Sequence, residues 1–292
     1  MKRVMIAFIS LIIFQTSLSA QSLSPERVAK IKSATVKVSI ENSSSIGSGF
    51  FVNTDGLLFT CWHVIEPSLI RDSLNRIIGA KKIFAELNSG EKMEYQILLY
   101  FIQAGNLDAV AYDYCILFPA SKQNRIFSFL KVGNLDLTEE GQEIYTCGYP
   151  LGIAQQFISR GIVSTKYVDS TNLIFNGNQK KILKPRKQAL LDMTMNKGNS
   201  GGAIIKPGIT ANDDEVIGIA DFIINPIGGI ADQLIKIFDQ QSGGVLISNI
   251  DPNAVFSHFT KMLAQTSIGV SGCVSIQYAF EGINAAKKSD NK

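Results

Sequence analysis

Gly198-Asn199-Ser200-Gly201-Gly202, preceded by Asp192 and Thr194 and followed by Ala203-Ile204-Ile205, is the stretch whose reading decides the fold. A small hydroxyl residue between glycines, directly ahead of an apolar run, predicts a tight turn presenting one side chain and several backbone N–H groups at the mouth of a strand. Acyl transfer needs such a turn. The N–H groups of Gly198 and Ser200 then face the oxyanion that develops when Ser200 Oγ attacks a carbonyl. The same residues also suit a plain hairpin turn, and a serine hydroxyl is a weak nucleophile without a base and an orienting carboxylate.

The chain holds two histidines, His63 and His258. His258 falls in an amphipathic helix opened by Asp251-Pro252, where Val255, Phe259, Met262 and Leu263 share one face expected to pack on the second half of the molecule. A surface position is its expected place. His63 ends the apolar run Leu58-Phe59-Thr60-Cys61-Trp62-His63-Val64, a strand entering a short turn, and a strand end holds a ring rigidly at a cleft edge. The carboxylate candidates are Asp108, Asp113 and Asp192. Asp113 stands directly before Tyr114-Cys115-Ile116-Leu117, so a strand fixes it where it accepts from His63 Nδ1–H. Asp108, in a looser turn, is the fallback, and Asp192 is too near Ser200 along the chain to reach the far side of the imidazole.

Around these residues the pattern is short β-rich runs separated by turn-formers such as Asn53-Thr54-Asp55-Gly56. The first half reads as strands over Thr35–Ile40, Ser48–Val52, Leu57–Thr60, Ile83–Leu87, Tyr95–Ile102 and Tyr114–Phe118. The second reads as Glu143–Gly148, Phe157–Val168, Leu173–Phe175, Ala189–Thr194, Ala203–Ile205, Val216–Ile224 and Gly244–Ser248. That punctuation predicts an all-β barrel or sandwich in two halves, with a brief helix after Ser24 and a boundary in the polar stretch Val132 to Gly141. Residues 1–20, with Lys2 and Arg3 ahead of an apolar run from Val4 to Phe14, read as an export signal. Residues 21–140 and 141–265 read as the two β halves, and 266–292 as a tail, apolar and partly alternating from Ser267 to Phe280 and polar from Lys287 to Lys292. The basic cluster Lys180, Lys181, Lys184, Arg186 and Lys187 reads as a solvated loop tip.

The chain is 46% hydrophobic with a formal charge of +3, about +1 without Lys2 and Arg3, so composition recommends a packed core and no nucleic-acid partner. Cys61, Cys115, Cys147 and Cys273 lack zinc-like spacing, so no metal is expected, and Cys115, inside an apolar run, reads as a buried free thiol.

Thr60-Cys61-Trp62-His63-Val64, Asp113-Tyr114-Cys115-Ile116-Leu117 and Gly198-Asn199-Ser200-Gly201-Gly202 occur in the His, Asp, Ser order of the trypsin-like serine proteases, and most resemble the bacterial HtrA (DegP/DegS-type) branch. Gly47-Ser48-Gly49-Phe50-Phe51-Val52, Gly148-Tyr149-Pro150-Leu151-Gly152 and Ser159-Arg160-Gly161-Ile162-Val163-Ser164 extend the resemblance over about residues 28 to 265. The resemblance implies a chymotrypsin-like fold of two perpendicular six-stranded antiparallel β-barrels, with a C-terminal helix. It implies Ser200 as nucleophile, His63 as general base, Asp113 as its orienting carboxylate, and an oxyanion hole at Gly198, Asn199 and Ser200. Thr194 at the base of the side-chain pocket, with Ile217, Gly218 and Ile219 walling the cleft, implies small or medium apolar residues before the scissile bond.

No cofactor is implied. The partners implied are polypeptide substrates, the location exported, periplasmic or secreted. A catalytically idle relative that binds polypeptide as a chaperone-like or adhesive module is the alternative. Lys197 stands where HtrA relatives usually have proline, leaving the loop before Ser200 less restricted. No regulatory PDZ domain is expected in the residues after Gln265.

Overall fold

In the computed structural model, residues 23–289 are described except 75, 99–107, 171–172, 176–180, 224–227, 242–249 and 265–268. The export signal and the strand expected at Gly244–Ser248 lie outside the described residues. Ser24 caps the helix Pro25–Ala34 by accepting from Arg27 N, and Pro25 suits its first turn. Arg27, on the buried face, donates from Nε to both Asp214 carboxylate oxygens (3.0 and 2.9 Å) and from Nη2 to Gly208 O (2.7 Å). The helix is thereby tied to the second half of the chain.

The strands β1 (Thr35–Ile40), β2 (Ile46–Phe51) and β3 (Leu58–Thr60) are followed by a separate hairpin, β4 (Leu69–Arg71) with β5 (Ile77–Ala80). The strands β6 (Ile83–Glu86), β7 (Lys92–Ile97) and β8 (Cys115–Pro119) complete a closed six-stranded antiparallel barrel in the order β1-β2-β3-β8-β7-β6. Alternation carries this barrel. Met93, Tyr95 and Ile97 of β7 point inward while Lys92 and Gln96 face water, as a period of two requires.

The short β9 (Lys131–Val132) adds in parallel to a later strand, so the expected boundary stretch is stitched to the second barrel. That barrel is built from β10 (Glu143–Gly148) and β11 (Phe157–Asp169), then, beyond a hairpin of β12 (Leu173–Phe175) with β13 (Lys181–Leu183), from β14 (Arg186–Asp192), β15 (Ala203–Lys206), β16 (Glu215–Ile223) and β17 (Val270–Ser275). The ring runs β15-β10-β11-β14-β17-β16 and closes by pairing β16 with β15. The sixth strand, β17, thus lies inside the stretch read as a tail. Its Val-Ser-Gly-Cys-Val-Ser sequence is small and almost wholly buried, so the partial alternation read there does not correspond to one buried and one exposed face.

Two helices, Gly228–Gln241 and Pro252–Ala264, stand between β16 and β17, and the first was not foreseen. They pack on each other through a stack of Phe238 on Phe256 (5.6 Å between centroids) and a Ser257 Oγ to Asp239 Oδ1 bond of 2.5 Å. In the second helix, Val255 and Phe259 of the expected apolar face are more than half exposed, the side chains of Met262 and Leu263 lie outside the described ones, and Ser257 and Thr260 are buried. His258 is exposed, as expected. The terminal helix Gln277–Ser289 lies against the first barrel, with Tyr278 stacked on Tyr112 (3.8 Å, 5°). All four cysteines are buried and free. Among the described residues no helix is long and apolar enough to cross a membrane.

The barrels share a seam. Ile205, Val216, Ile219 and Val274 of the second barrel join the apolar cluster of the first, while Ile144, Val163, Leu191, Ile204 and Ile217 form the second barrel's own core.

Candidate active site

His63 sits one residue into the short helix Trp62–Ile65, which follows Cys61 at the end of β3. Trp62, Val64 and Ile65 are buried and anchor the turn, leaving the His63 side chain 45% exposed. Asp113 occupies the turn between the helix Asp108–Ala111 and β8, two residues short of the strand, with left-handed backbone at φ 48°. Aspartate tolerates that region better than most residues, but it holds only where neighbours enforce it. Here Tyr112 stacks on Tyr278 of the terminal helix, and Tyr114 packs so closely on Gly282 that a Cβ there would collide with its ring.

The two side chains meet. Asp113 Oδ2 lies 2.6 Å from His63 Nδ1, and Asp113 Oδ1 accepts from the His63 backbone N–H at 2.9 Å. A carboxylate on Nδ1 fixes the tautomer with its proton there and leaves Nε2 as the basic nitrogen. Of the other candidates, Asp192 is exposed at the end of β14, and Asp108 begins the short helix.

The Ser200 loop is fastened to the first barrel through Ser48 of β2. The Ser48 N–H donates to Ser200 O (2.8 Å), its Oγ donates to Gly198 O (2.7 Å) and accepts from Tyr149 N (3.1 Å), and its carbonyl accepts from Thr60 Oγ1 (2.7 Å). Gly201, at φ 86°, donates to Ala220 O (2.8 Å), the carbonyl that also accepts from Cys61 Sγ (3.1 Å). A Cβ on Gly201 would overlap Ser48 O and Thr60 Oγ1, so only glycine lets the serine turn come this close to the strand leading to His63.

Gly198, at φ 102°, crosses directly over the Tyr149 carbonyl. The Lys197 carbonyl accepts from Leu151 N (2.5 Å). Among the described residues, no acceptor is bonded to the N–H of Gly198 or of Ser200. Asn199 differs: its N–H donates to Asn196 O (3.0 Å) and its side chain is buried, so it builds the turn rather than facing the hole. A cavity of about 240 Å³, lined by Ser44, Ile46, Leu151, Gly152, Lys197 and Gly198, opens beside this loop.

The expected cleft wall is not where the sequence put it. Ile217 is wholly buried in the second core and Ile219 in the seam, and Gly218 is packed against Cys273 and the Val274 carbonyl of β17. Thr194 is exposed in the turn after β14. The part of β16 that reaches His63 and Asp113 is Ala220-Asp221, two residues further on. Asp221 was missed; its signal is a lone carboxylate inside the otherwise apolar run Val216 to Ile224.

Electrostatics follow from burial and pairing. Burial disfavours the charged form of His63, but the hydrogen bond and charge of Asp113 outweigh it, and its pKa is raised above 6.5. Burial likewise pushes the Asp113 carboxyl up, and hydrogen bonds from His63 and Asp221 more than offset this, holding it well below the usual carboxylate range. Burial pushes the Cys61 thiol well up, so it is no thiolate nucleophile at neutral pH.

An imidazole paired with a carboxylate in one barrel, and in the other a glycine-flanked serine whose loop is bonded to Ser48 of the first, fit the class of trypsin-like serine peptidases, although among the described residues no hydrogen bond joins Ser200 Oγ to His63 Nε2. Residues 47–219 match the family described as "Trypsin-like peptidase domain", and the chain belongs to that family. Within it, the similarity falls in the HtrA branch. A "Probable periplasmic serine endoprotease DegP-like" of Chlamydia muridarum is 28% identical over 183 residues, 63% of this chain and 29% of that protein. One of the same description from Buchnera aphidicola is 24% identical over 262 residues, 84% of this chain and 47% of that protein. The chain therefore spans less than half the length of either relative. Among solved structures, "HtrA-type protease AlgW with tripeptide" aligns with a TM-score of 0.55 at 19% identity, covering 89% of this chain and 62% of that one, a likeness of fold.

Two outcomes are expected. Ser48→Ala orphans Gly198 O and Tyr149 N, a cost of about 1–3 kcal/mol, so peptidase kcat/KM falls about 10- to 100-fold while circular dichroism still reports the folded barrels. Because the raised His63 pKa leaves the ring protonated to higher pH, the acid limb of kcat/KM lies above pH 6.5; a pH–rate profile with its half-point below that value contradicts the assignment.

Proposed function

We propose that this chain is an exported serine endopeptidase that hydrolyses polypeptides through His63, Asp113 and Ser200. The observation that carries the reading is the 2.6 Å bond from His63 Nδ1 to Asp113; it is supported by a serine loop, tied to the first barrel through Ser48, whose Gly198 and Ser200 N–H groups have no acceptor among the described residues. Ser200 Oγ attacks the scissile carbonyl as its proton passes to His63 Nε2, and Asp113 stabilises the imidazolium that forms. The two N–H groups take up the oxyanion. The imidazolium then protonates the leaving amine, and a water deprotonated by the same nitrogen releases the acyl group from Ser200.

Polypeptide substrates are supported by the family and by the bound tripeptide of the AlgW structure. Export is supported by the apolar N-terminal run and by the periplasmic description of the relatives. A small or medium apolar residue before the scissile bond is the preference we assign, because Thr194 supplies no carboxylate for Arg or Lys.

Unfolded casein and a fluorogenic peptide library test the reading. The native chain cleaves both; Ser200→Ala and His63→Ala each lower the rate by about 10⁴-fold or more, and the double variant is no worse than either single one. Casein left intact by the native chain, with binding retained, supports the idle, polypeptide-binding alternative.

A further inference from the structure

Behind Asp113 lies a second carboxylate. β16 is apolar over Val216, Ile217, Ile219 and Ala220, yet at Asp221 its pairing with β17 slips: Ala220 stands opposite Cys273 and Phe222 opposite Gly272, leaving Asp221 as the extra residue of a bulge. A bulge re-aims a side chain out of the alternating pattern. Here it places an Asp221 oxygen within 4.8 Å of ligand atoms from Asp113, His63 and Cys61. The Asp221 side chain is 9% exposed, and its carboxyl stands beside that of Asp113 within the same 4.8 Å. Two carboxyl groups bond to each other only when one carries a proton.

The surroundings decide which. Asp113 receives both the His63 ring and backbone N–H groups and is the anion. Among the described residues, the cation paired with Asp221 is the Arg186 guanidinium, Nη1 to Oδ2 at 3.3 Å, from the start of β14. With its amide turned to satisfy its neighbours, Gln188 accepts from Arg186 Nε (2.9 Å) and Nη2 (2.7 Å), so that cation is shared. The other titratable groups facing Asp221 are His63, Cys61, Tyr167 of β11 and Cys273 of β17. The cluster is also spaced for protons rather than for a metal ion: His63 Nδ1 and Asp113 Oδ2 are 2.6 Å apart, whereas two ligands of a tetrahedral zinc stand about 3.3 Å apart.

We propose that Asp221 is a positioning residue of this site, a carboxylic acid whose O–H donates to Asp113 and fixes that carboxylate on His63. The inference rests on the peptidase reading and deepens it. Burial, and then the bond and charge of Asp113, push Asp221 up to about 8. As pH rises through that value the proton leaves, Asp113 loses its donor and gains a like charge beside it, and the aligned pair is disturbed. Arg186 opposes the shift, which gives one member of the basic cluster a task at the active site.

The test measures the rate of fluorophosphonate labelling from about pH 5 to about pH 10 for the native chain, Asp221→Asn and Asp221→Ala, alongside ¹³C NMR titration of the His63 ring. The native rate falls on the alkaline side; Asp221→Asn, whose amide donates at every pH, loses that fall. Asp221→Ala, without a donor, labels about 10- to 100-fold more slowly. Both variants keeping the native rate and profile would overturn the assignment. If the native chain labels at no pH, the peptidase reading fails by itself, and NMR still decides on Asp221. A second inflection of the His63 resonance on the alkaline side, absent in Asp221→Asn, supports the shared proton; an inflection that persists there refutes it.

Discussion

Four hydrogen bonds at one side chain and its peptide hold the functional geometry together. Ser48 belongs to the first barrel, but its N–H and Oγ grip the carbonyls of Ser200 and Gly198 in the second, while its own carbonyl is held by Thr60, three residues before His63. Ser48 is wholly buried, so neither partner has water as a substitute, and losing one bond costs more than its net worth of about 1 kcal/mol. The apolar seam of Ile205, Val216, Ile219 and Val274 presses the barrels together without fixing their register. The Ser48 bonds supply that direction, and the glycine at 201 supplies the room.

The same logic explains the state of the carboxylates. Asp113 is buried and would resist ionisation, but the ring and backbone N–H groups of His63 both donate to it and hold it as the anion. The strained backbone at Asp113 is held by the terminal helix, through Tyr278 on Tyr112 and Gly282 against Tyr114. A helix added after the last barrel strand therefore supports the orienting group of the first barrel. The chain's last described element is coupled to its earliest chemistry by packing.

Much of this was legible in the sequence. The β-rich composition of Thr35–Ile40 and Glu143–Gly148 placed those strands with their observed bounds, and the strand-edge contexts of His63 and Asp113 favoured that pair, with Asp108 as the fallback; the two residues are bonded. What escaped depends on distant pairing. Val270–Ser275 is small and buried on both faces, so its apolar, partly alternating pattern does not by itself mark it as the strand that closes a barrel. Ile217 and Ile219 resembled a cleft wall, but the closure of β16 on β15 and β17 turns them into core and seam. Asp221 is aimed by a bulge, a register effect that a single strand cannot reveal. The helix Pro252–Ala264 has a clear apolar face, yet its partner is another helix that buries Ser257 and Thr260 instead.

The central claim is that one serine from the second barrel and one imidazole from the first act on the same carbonyl. A crystal structure with a peptide boronic acid tests it most directly. The account predicts boron bonded to Ser200 Oγ, one boronate oxygen accepting from the Gly198 and Ser200 N–H groups, and His63 Nε2 within hydrogen-bond reach. A boronate bound elsewhere, or His63 turned away from Ser200 in an otherwise intact fold, would contradict it.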